Sequence, residues 1–194
     1  MSKLWGCADL PHGCRYPEVE WVNEDGMTCA DPMTFVCQIR LQDIAAYDSE
    51  NLLPHTGMLY FFADIDYFLG NLEADSPGMG QWDKDRYRVL YAPETEHLDT
   101  HRIVCEDGTA FGLPAQELSF VHCEERADGF KLLGKPYFEE TEEEYPHYIS
   151  LLQLDCNDDW RLQFYDCGML NFLITPEDLA ARKWEQAICH LHSF

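Results

Sequence analysis

Gly57-Met58-Leu59-Tyr60-Phe61-Phe62 and Gly168-Met169-Leu170-Asn171-Phe172-Leu173 are two versions of one pattern, and they decide the fold. Each follows an apolar run with a central glutamine. The first run is Phe35-Val36-Cys37-Gln38-Ile39 and the second is Ser150-Leu151-Leu152-Gln153-Leu154. The step from Gln to Gly is 19 residues in the first copy (38 to 57) and 15 in the second (153 to 168). A weaker echo leads each copy, Gly6-Cys7-Ala8-Asp9-Leu10 before the first and Gly134-Lys135-Pro136-Tyr137-Phe138 before the second. Short apolar runs of this kind, each preceded by a proline (Pro32, Pro146), read as strands buried on both faces. A glycine opening a strand fits a tight turn just before it.

Each copy is therefore a pair of buried strands. A lone pair cannot bury both faces, so the copies are expected to share one sheet or to pack together. The expected fold is α+β: a strand-rich, mostly antiparallel or mixed sheet with an internal duplication and a few short helices. It forms one domain over residues 1–194, with repeat units near 32–64 and 148–175.

Further elements surround the repeats. Thr175-Pro176-Glu177-Asp178 starts a helix, with a capping hydroxyl, proline at the first helical position and acids in the first turn. That helix is expected to run to about Glu185. A shorter one is expected from Leu41 to Tyr47. Arg86 to Tyr91 reads as a half-exposed strand, Asn71 to Gln81 as a loop, and Ala187 to Leu191 as the last strand. The crowded acids Glu139, Glu140, Glu142, Glu143 and Glu144 read as a solvated loop.

Thirteen Lys and Arg face 36 Asp and Glu, a net charge of −23. Such a surface repels nucleic-acid phosphates and anionic lipid, which need clustered cations. It keeps the chain soluble, and it would attract a basic protein partner. The nine cysteines are irregularly spaced, no apolar leader follows Met1, and no run reaches membrane-spanning length. A cytoplasmic protein with nine free thiols is expected.

The motif order carries a family resemblance. It runs Trp5-Gly6-x-x-Asp9-Leu10-Pro11, Thr34-Phe35-x-x-Gln38-Ile39-x-Leu41 and Leu53-Pro54-x-x-Gly57-x-Leu59-Tyr60-Phe61-Phe62. It continues with Leu133-Gly134-x-Pro136, Leu151-Leu152-Gln153-Leu154-Asp155 and Asp166-x-Gly168-Met169-Leu170. This resembles the YwqG-like bacterial family, a domain of unknown function, over nearly the whole chain. The resemblance implies a strand-rich α+β fold in a cytosolic bacterial protein, and no activity. Two departures stand out: Ala8 where the family often has proline, and Phe164-Tyr165-Asp166 where it tends to have Trp-Gly-Asp.

Several groups have residue types suited to chemistry. His97 and His101 have zinc-site spacing only if helical, and their surroundings are polar. His190 and His192, beside Cys189, share one side of a strand and read as terminal residues on a solvated face. Asp155, Asn157, Asp158 and Asp159 crowd one turn. Counting from Asp155, Trp160 and Asp166 stand where a calcium loop needs Gly and Glu. His122 and Cys123 carry no cysteine-hydrolase signature, and no phosphate-cradling glycine loop is present. No metal and no cofactor is expected.

Gln38 and Gln153 are buried amides that must find partners, and backbone groups across the repeat interface are expected. Their functional reading is a pseudo-symmetric pair lining a cleft. With Asp155 and Asp166 they are the candidate interaction residues. The reading that results is a non-enzymatic protein-binding module for a basic partner, by analogy an immunity protein against a basic toxin. The alternative is a small-molecule hydrolase or metal-dependent enzyme working in the cleft between the repeats.

Overall fold

In the computed structural model, residues 1–105 and 108–194 are described. The early strands are β1 (Lys3–Leu4), β2 (Ala8–Pro11), β3 (Glu18–Val22), β4 (Thr28–Pro32), β5 (Thr34–Arg40), β6 (Met58–Ala63) and β7 (Gly80–Gln81). The later ones are β8 (Tyr87–Ala92), β9 (Leu98–His101), β10 (Gln116–Glu117), β11 (Lys131–Leu132), β12 (Ile149–Asp155), β13 (Met169–Ile174) and β14 (Ile188–His192). Three short helices join them: α1 (Leu41–Ile44), α2 (Glu139–Glu144) and α3 (Pro176–Ala180). The fold is α+β, and every ladder among the described strands is antiparallel.

The chain divides into two compact units. One comprises Met1–Asp64 and Asp85–Phe120, the other Ile65–Lys84 and Val121–Phe194. Each copy of the repeat builds its own five-stranded sheet, so of the two expected arrangements, one shared sheet or two packed copies, the shared sheet is not formed. The first has the order β10-β1-β5-β6-β8 and the second β11-β12-β13-β14-β7.

The two sheets match residue by residue. Gln38 stands opposite Lys3 and Tyr60, and Gln153 opposite Lys131 and Asn171. The ladder slips between Phe35 and Cys37 in the first copy and between Ser150 and Leu152 in the second, so both glutamine strands carry a bulge at the same place. A residue of positive φ follows each short lead strand, Trp5 at 55° and Leu133 at 64°. Their amides donate to the carbonyls of the bulged residues Val36 and Leu151. Thus both Gly-Met-Leu segments are central strands, buried along their whole length from Met58 to Ala63 and from Met169 to Ile174. That is why they read as continuous apolar runs and not as alternating ones.

The opening glycines have a shared steric reason. A Cβ on Gly57 would lie 2.4 Å from the carbonyl oxygen of Ala92, and one on Gly168 would lie 2.7 Å from that of His192. Ala92 and His192 hold equivalent places, opposite Met58 and Met169. Gly57 also needs its positive φ of 89°, whereas Gly168 has no positive φ and is required by close approach alone.

In the first unit, one face of the sheet is closed by β2 and the root of the β3–β4 hairpin. Ala8, Leu10 and Val19 pack there with Met33, Phe35, Met58, Tyr60, Phe62 and Ala92. In the second unit, Phe68 is wedged between Trp82 and Phe164, at ring separations of 6.0 and 5.2 Å.

Four local expectations are corrected. The helix after Thr175 stops at Ala180, because Arg182 turns to a φ of 57° and a 3-10 turn, Trp184–Gln186, follows. The helix from Leu41 ends at Ile44 and closes with a turn from the Tyr47 amide to the Ile44 carbonyl. The last strand runs one residue later than expected, to His192. The glutamate run is the helix α2 and not a loop. Its early acids complement the positive helix end, Thr141 is buried, and Arg126 and Lys135 both reach Glu142.

Candidate functional site

The glutamines are the best starting point, since both are fully buried. The Gln38 Oε1 accepts from the Asp9 amide at 3.0 Å, and its Nε2 donates to the Met1 carbonyl and to an Asp9 carboxylate oxygen. The Gln153 Oε1 accepts from the Tyr137 amide at 2.9 Å, and its Nε2 donates to the carbonyls of Ala127 and Gly129. Asp9 and Tyr137 hold the same place in the two leading echoes. The expectation of bonds across the repeats is therefore corrected: each glutamine fastens the lead segment of its own unit to its own sheet.

Two lysines extend these networks, and the sequence reading missed them. Their signal is Lys-Leu-x-Gly, present at Lys3–Gly6 and again at Lys131–Gly134. Lys3 pairs with Asp9 at 2.7 Å. Burial alone would push the Asp9 carboxyl up, but hydrogen bonds from Lys3, Thr100 and Gln38 outweigh it and hold the group below its ordinary range. In the second copy tyrosine stands in place of that aspartate. The buried Lys131 ammonium donates instead to the carbonyls of Glu125, Ala127 and Lys135, at 2.9, 3.1 and 2.6 Å. Burial pushes its pKa down from the ordinary lysine value.

Directly opposed residues in a sheet share a face. Across the second sheet this puts Lys131, Gln153, Asn171, His190 and Gln81 in one polar row. The segment from Tyr137 to Tyr145, which contains α2, lies over that row. Tyr137 bonds Gln153, the Phe138 ring lies 4.6 Å from that of His192, and the Tyr145 ring lies 5.0 Å from that of His190. His190 is consequently 2% exposed, which overturns the expectation of a solvated face. Burial pushes its pKa down and keeps the ring neutral, against the opposing pull of Glu144. Both His190 ring nitrogens, the Asn171 Nδ2 and the Thr141 Oγ1 are buried and have no hydrogen-bond partner among the described residues. The Asn171 Oδ1 accepts from the Ser150 hydroxyl at 2.8 Å.

The remaining candidates fall in separate places. Asp155 accepts from the Gly129 and Cys156 amides, at 3.0 and 2.7 Å, so it meets Gln153 around Gly129. Asn157 caps the 3-10 turn Asp158–Trp160, and Asp158 and Asp159 face solvent. The Asp166 side chain is exposed, and its backbone is tied at both ends to the Ser193 hydroxyl. His97 and His101 lie on or beside β9, where a spacing of four spans about 13 Å of extended chain and cannot bring two imidazoles to one ion. His101 packs near Tyr16. Among the described residues no group of three His, Cys, Asp or Glu is placed to hold a metal ion. The Cys37 and Cys189 thiols are fully buried and pushed up by that burial, which makes them poor nucleophiles.

The family DUF1963, described as a domain of unknown function, matches residues 2–192. The chain belongs to this family. No curated protein matches it. Each sheet of this DUF1963 chain carries a polar row. The lysine and glutamine positions hold each sheet to its lead segment, and the Asn171–His190 position in the second unit is left with unspent hydrogen-bonding capacity. No helix among the described residues is long and apolar enough to cross a membrane.

Proposed function

We propose that this DUF1963 chain is a non-enzymatic protein-binding module of the YwqG-like bacterial kind, acting in the cytoplasm on a basic protein partner, in the manner of an immunity protein. The observation that carries this reading is the net charge of −23. Part of it stands on a fixed scaffold, since Glu139, Glu140, Glu143 and Glu144 are exposed on and around the ordered helix α2. Surface charge of one sign steers an oppositely charged protein and repels nucleic acid and anionic lipid. Such association is fast at low salt and slows steeply as salt rises. The test is capture from the native host at low and at high salt, with the retained proteins identified. A retained protein rich in Lys and Arg, lost at high salt, supports the reading. Retention of no salt-sensitive protein, or a shifted DNA or RNA probe at physiological salt, overturns it.

A second reading, a small-molecule site, is favoured by the buried atoms of Thr141, Asn171 and His190 that make no hydrogen bond, with Glu144 3.9 Å from the His190 Nε2. Buried polar groups of this kind usually hold a partner. A compound that raises the melting temperature of the wild type and not of Asn171→Ala would move the assignment to this reading.

A further inference from the structure

The β3–β4 hairpin is built unlike the rest of the first unit. Only its root is in the core, through Val19, which is 7% exposed. The root is tied down where the Tyr16 hydroxyl donates to the Met33 carbonyl and the Met33 amide to the Pro17 carbonyl, both at 3.0 Å. Beyond it, β3 and β4 pair only with each other among the described strands. A free two-stranded ribbon gains little stability from its own packing.

Even so, its tip is fixed. The Asn23 Oδ1 accepts from the amides of Asp25 and Met27, at 3.1 and 2.8 Å, and the Asn23 amide donates to the Met27 carbonyl at 3.0 Å. The Trp21 indole donates to the Asp31 carboxylate at 2.7 Å, which holds the ring in place.

This fixed tip displays large apolar side chains to solvent. Trp21 is 43% exposed, Val22 66% and Met27 57%. Around them Glu18, Glu20, Glu24, Asp25 and Asp31 are all exposed, and residues 18–32 include no Lys, Arg or His. A tryptophan with apolar neighbours inside a charged rim has the composition of a binding hot spot. Preorganisation lowers the entropy lost on docking.

We propose that the tip of this hairpin, Trp21, Val22 and Met27 within their acidic rim, is the docking element for a basic protein, a proposal that rests on the protein-binding reading above. The partner presents an apolar pocket for Trp21 and Met27, edged by Lys or Arg that meet Glu24, Asp25 and Asp31, the last on the same face of the ribbon as Trp21. Charge complementarity selects this occupant. A second copy of this chain would bring its own net charge of −23 against the acidic tip, and phosphate backbones and anionic lipid are repelled in the same way.

The test places a photo-crosslinking phenylalanine analogue at Met27, and separately at Leu72, an exposed control position in the other unit (77% exposed). The probe is used in living cells of the native host, and captured proteins are identified. The expected result is a basic protein captured at position 27 and not at 72. Its purified form should bind Trp21→Ala and the double variant Glu24→Lys/Asp25→Lys at least about tenfold more weakly than wild type. Glu24 and Asp25 are exposed, so the melting temperature of the double variant should not change. Capture of a protein only at 72, capture of another copy of this chain at 27, or unchanged affinity in both variants overturns the hairpin assignment and leaves the protein-binding reading standing. No capture at either position, combined with no salt-sensitive partner in the pull-down, overturns both.

Discussion

Gln153→Leu isolates the glutamine's role as a fastener of the lead segment. Leucine has a similar volume, so no large cavity forms, and only the hydrogen bonds are lost. Three backbone groups then lack their partner: the Tyr137 amide and the carbonyls of Ala127 and Gly129. A buried backbone group left unpaired costs about 1–3 kcal/mol. Ala127 and Gly129 are only half-buried, Tyr137 is exposed, and the Ala127 carbonyl keeps its bond from Lys131, so all three sit at the low end of that range. The sum is about 3 kcal/mol, and burying leucine in place of an amide returns about 1 kcal/mol. The net loss is about 2 kcal/mol. At about 2–4 °C per kcal/mol for a chain of this size, the melting temperature should fall by about 4–8 °C. Gln38→Leu likewise removes three bonds, from the Asp9 amide, the Met1 carbonyl and the Asp9 carboxylate, but that carboxylate keeps Lys3 and Thr100, so its loss should be similar or somewhat smaller. Circular dichroism melts of both variants are the assay. A fall of less than about 2 °C in either would refute the fastener role and return the glutamines to the candidate ligand set.

Three further outcomes follow from the same structure. His190 is neutral in the fold because burial lowers its pKa, whereas in the unfolded chain it titrates near 6.5. Its contribution is thus fully present above about pH 6.5 and is lost as pH falls below that, by at most about 1.4 kcal/mol per unit; denaturant midpoints between pH 7.5 and pH 5.5 should fall more for wild type than for His190→Phe. Gly168→Ala meets the Phe164 carbonyl oxygen at 2.4 Å and should be severely destabilising, while Gly13→Ala, with nothing within 4 Å and a φ of 78°, should cost only about 1–2 kcal/mol of backbone strain; equal losses in urea melts would contradict this. In the native protein the exposed Cys105, Cys123 and Cys167 should react with a thiol reagent within minutes and the buried Cys37 and Cys189 should not, all nine reacting after denaturation; mass-mapped early labelling at Cys37 or Cys189 would show that the core opens readily.

The duplicated strands were legible because their information is local. Gln38 and Gln153, and the Gly-Met-Leu segments, sit in runs whose burial on both faces shows directly in composition. What was illegible depends on contacts or backbone turns that the residue types themselves do not mark. The glutamate run reads as a loop because what holds it in place, Arg126 on Glu142 and His190 against Tyr145, lies outside it. His190 read as solvated because its cover, Tyr145, belongs to a segment far earlier in the chain. The end of α3 turns on Arg182 entering the left-handed region, where neither glycine nor asparagine marks the stop.

Comparing the two copies then separates scaffold from chemistry. Along the polar rows the first unit reads Lys3, Gln38, Tyr60, Leu90 and the second Lys131, Gln153, Asn171, His190. The lysine and glutamine positions carry the same residue in both copies and spend their hydrogen bonds on the lead segment, which is a structural duty. The next two positions differ. Tyr60 spends its hydroxyl on the Asp9 carbonyl at 2.7 Å and Leu90 has nothing to spend, so the first row is closed. Asn171 and His190 retain unpaired donors and acceptors under α2. A backbone common to both copies therefore accounts for the first half of each row and not for the second, where Asn171, His190 and Gln81 replace the tyrosine and leucine of the first unit.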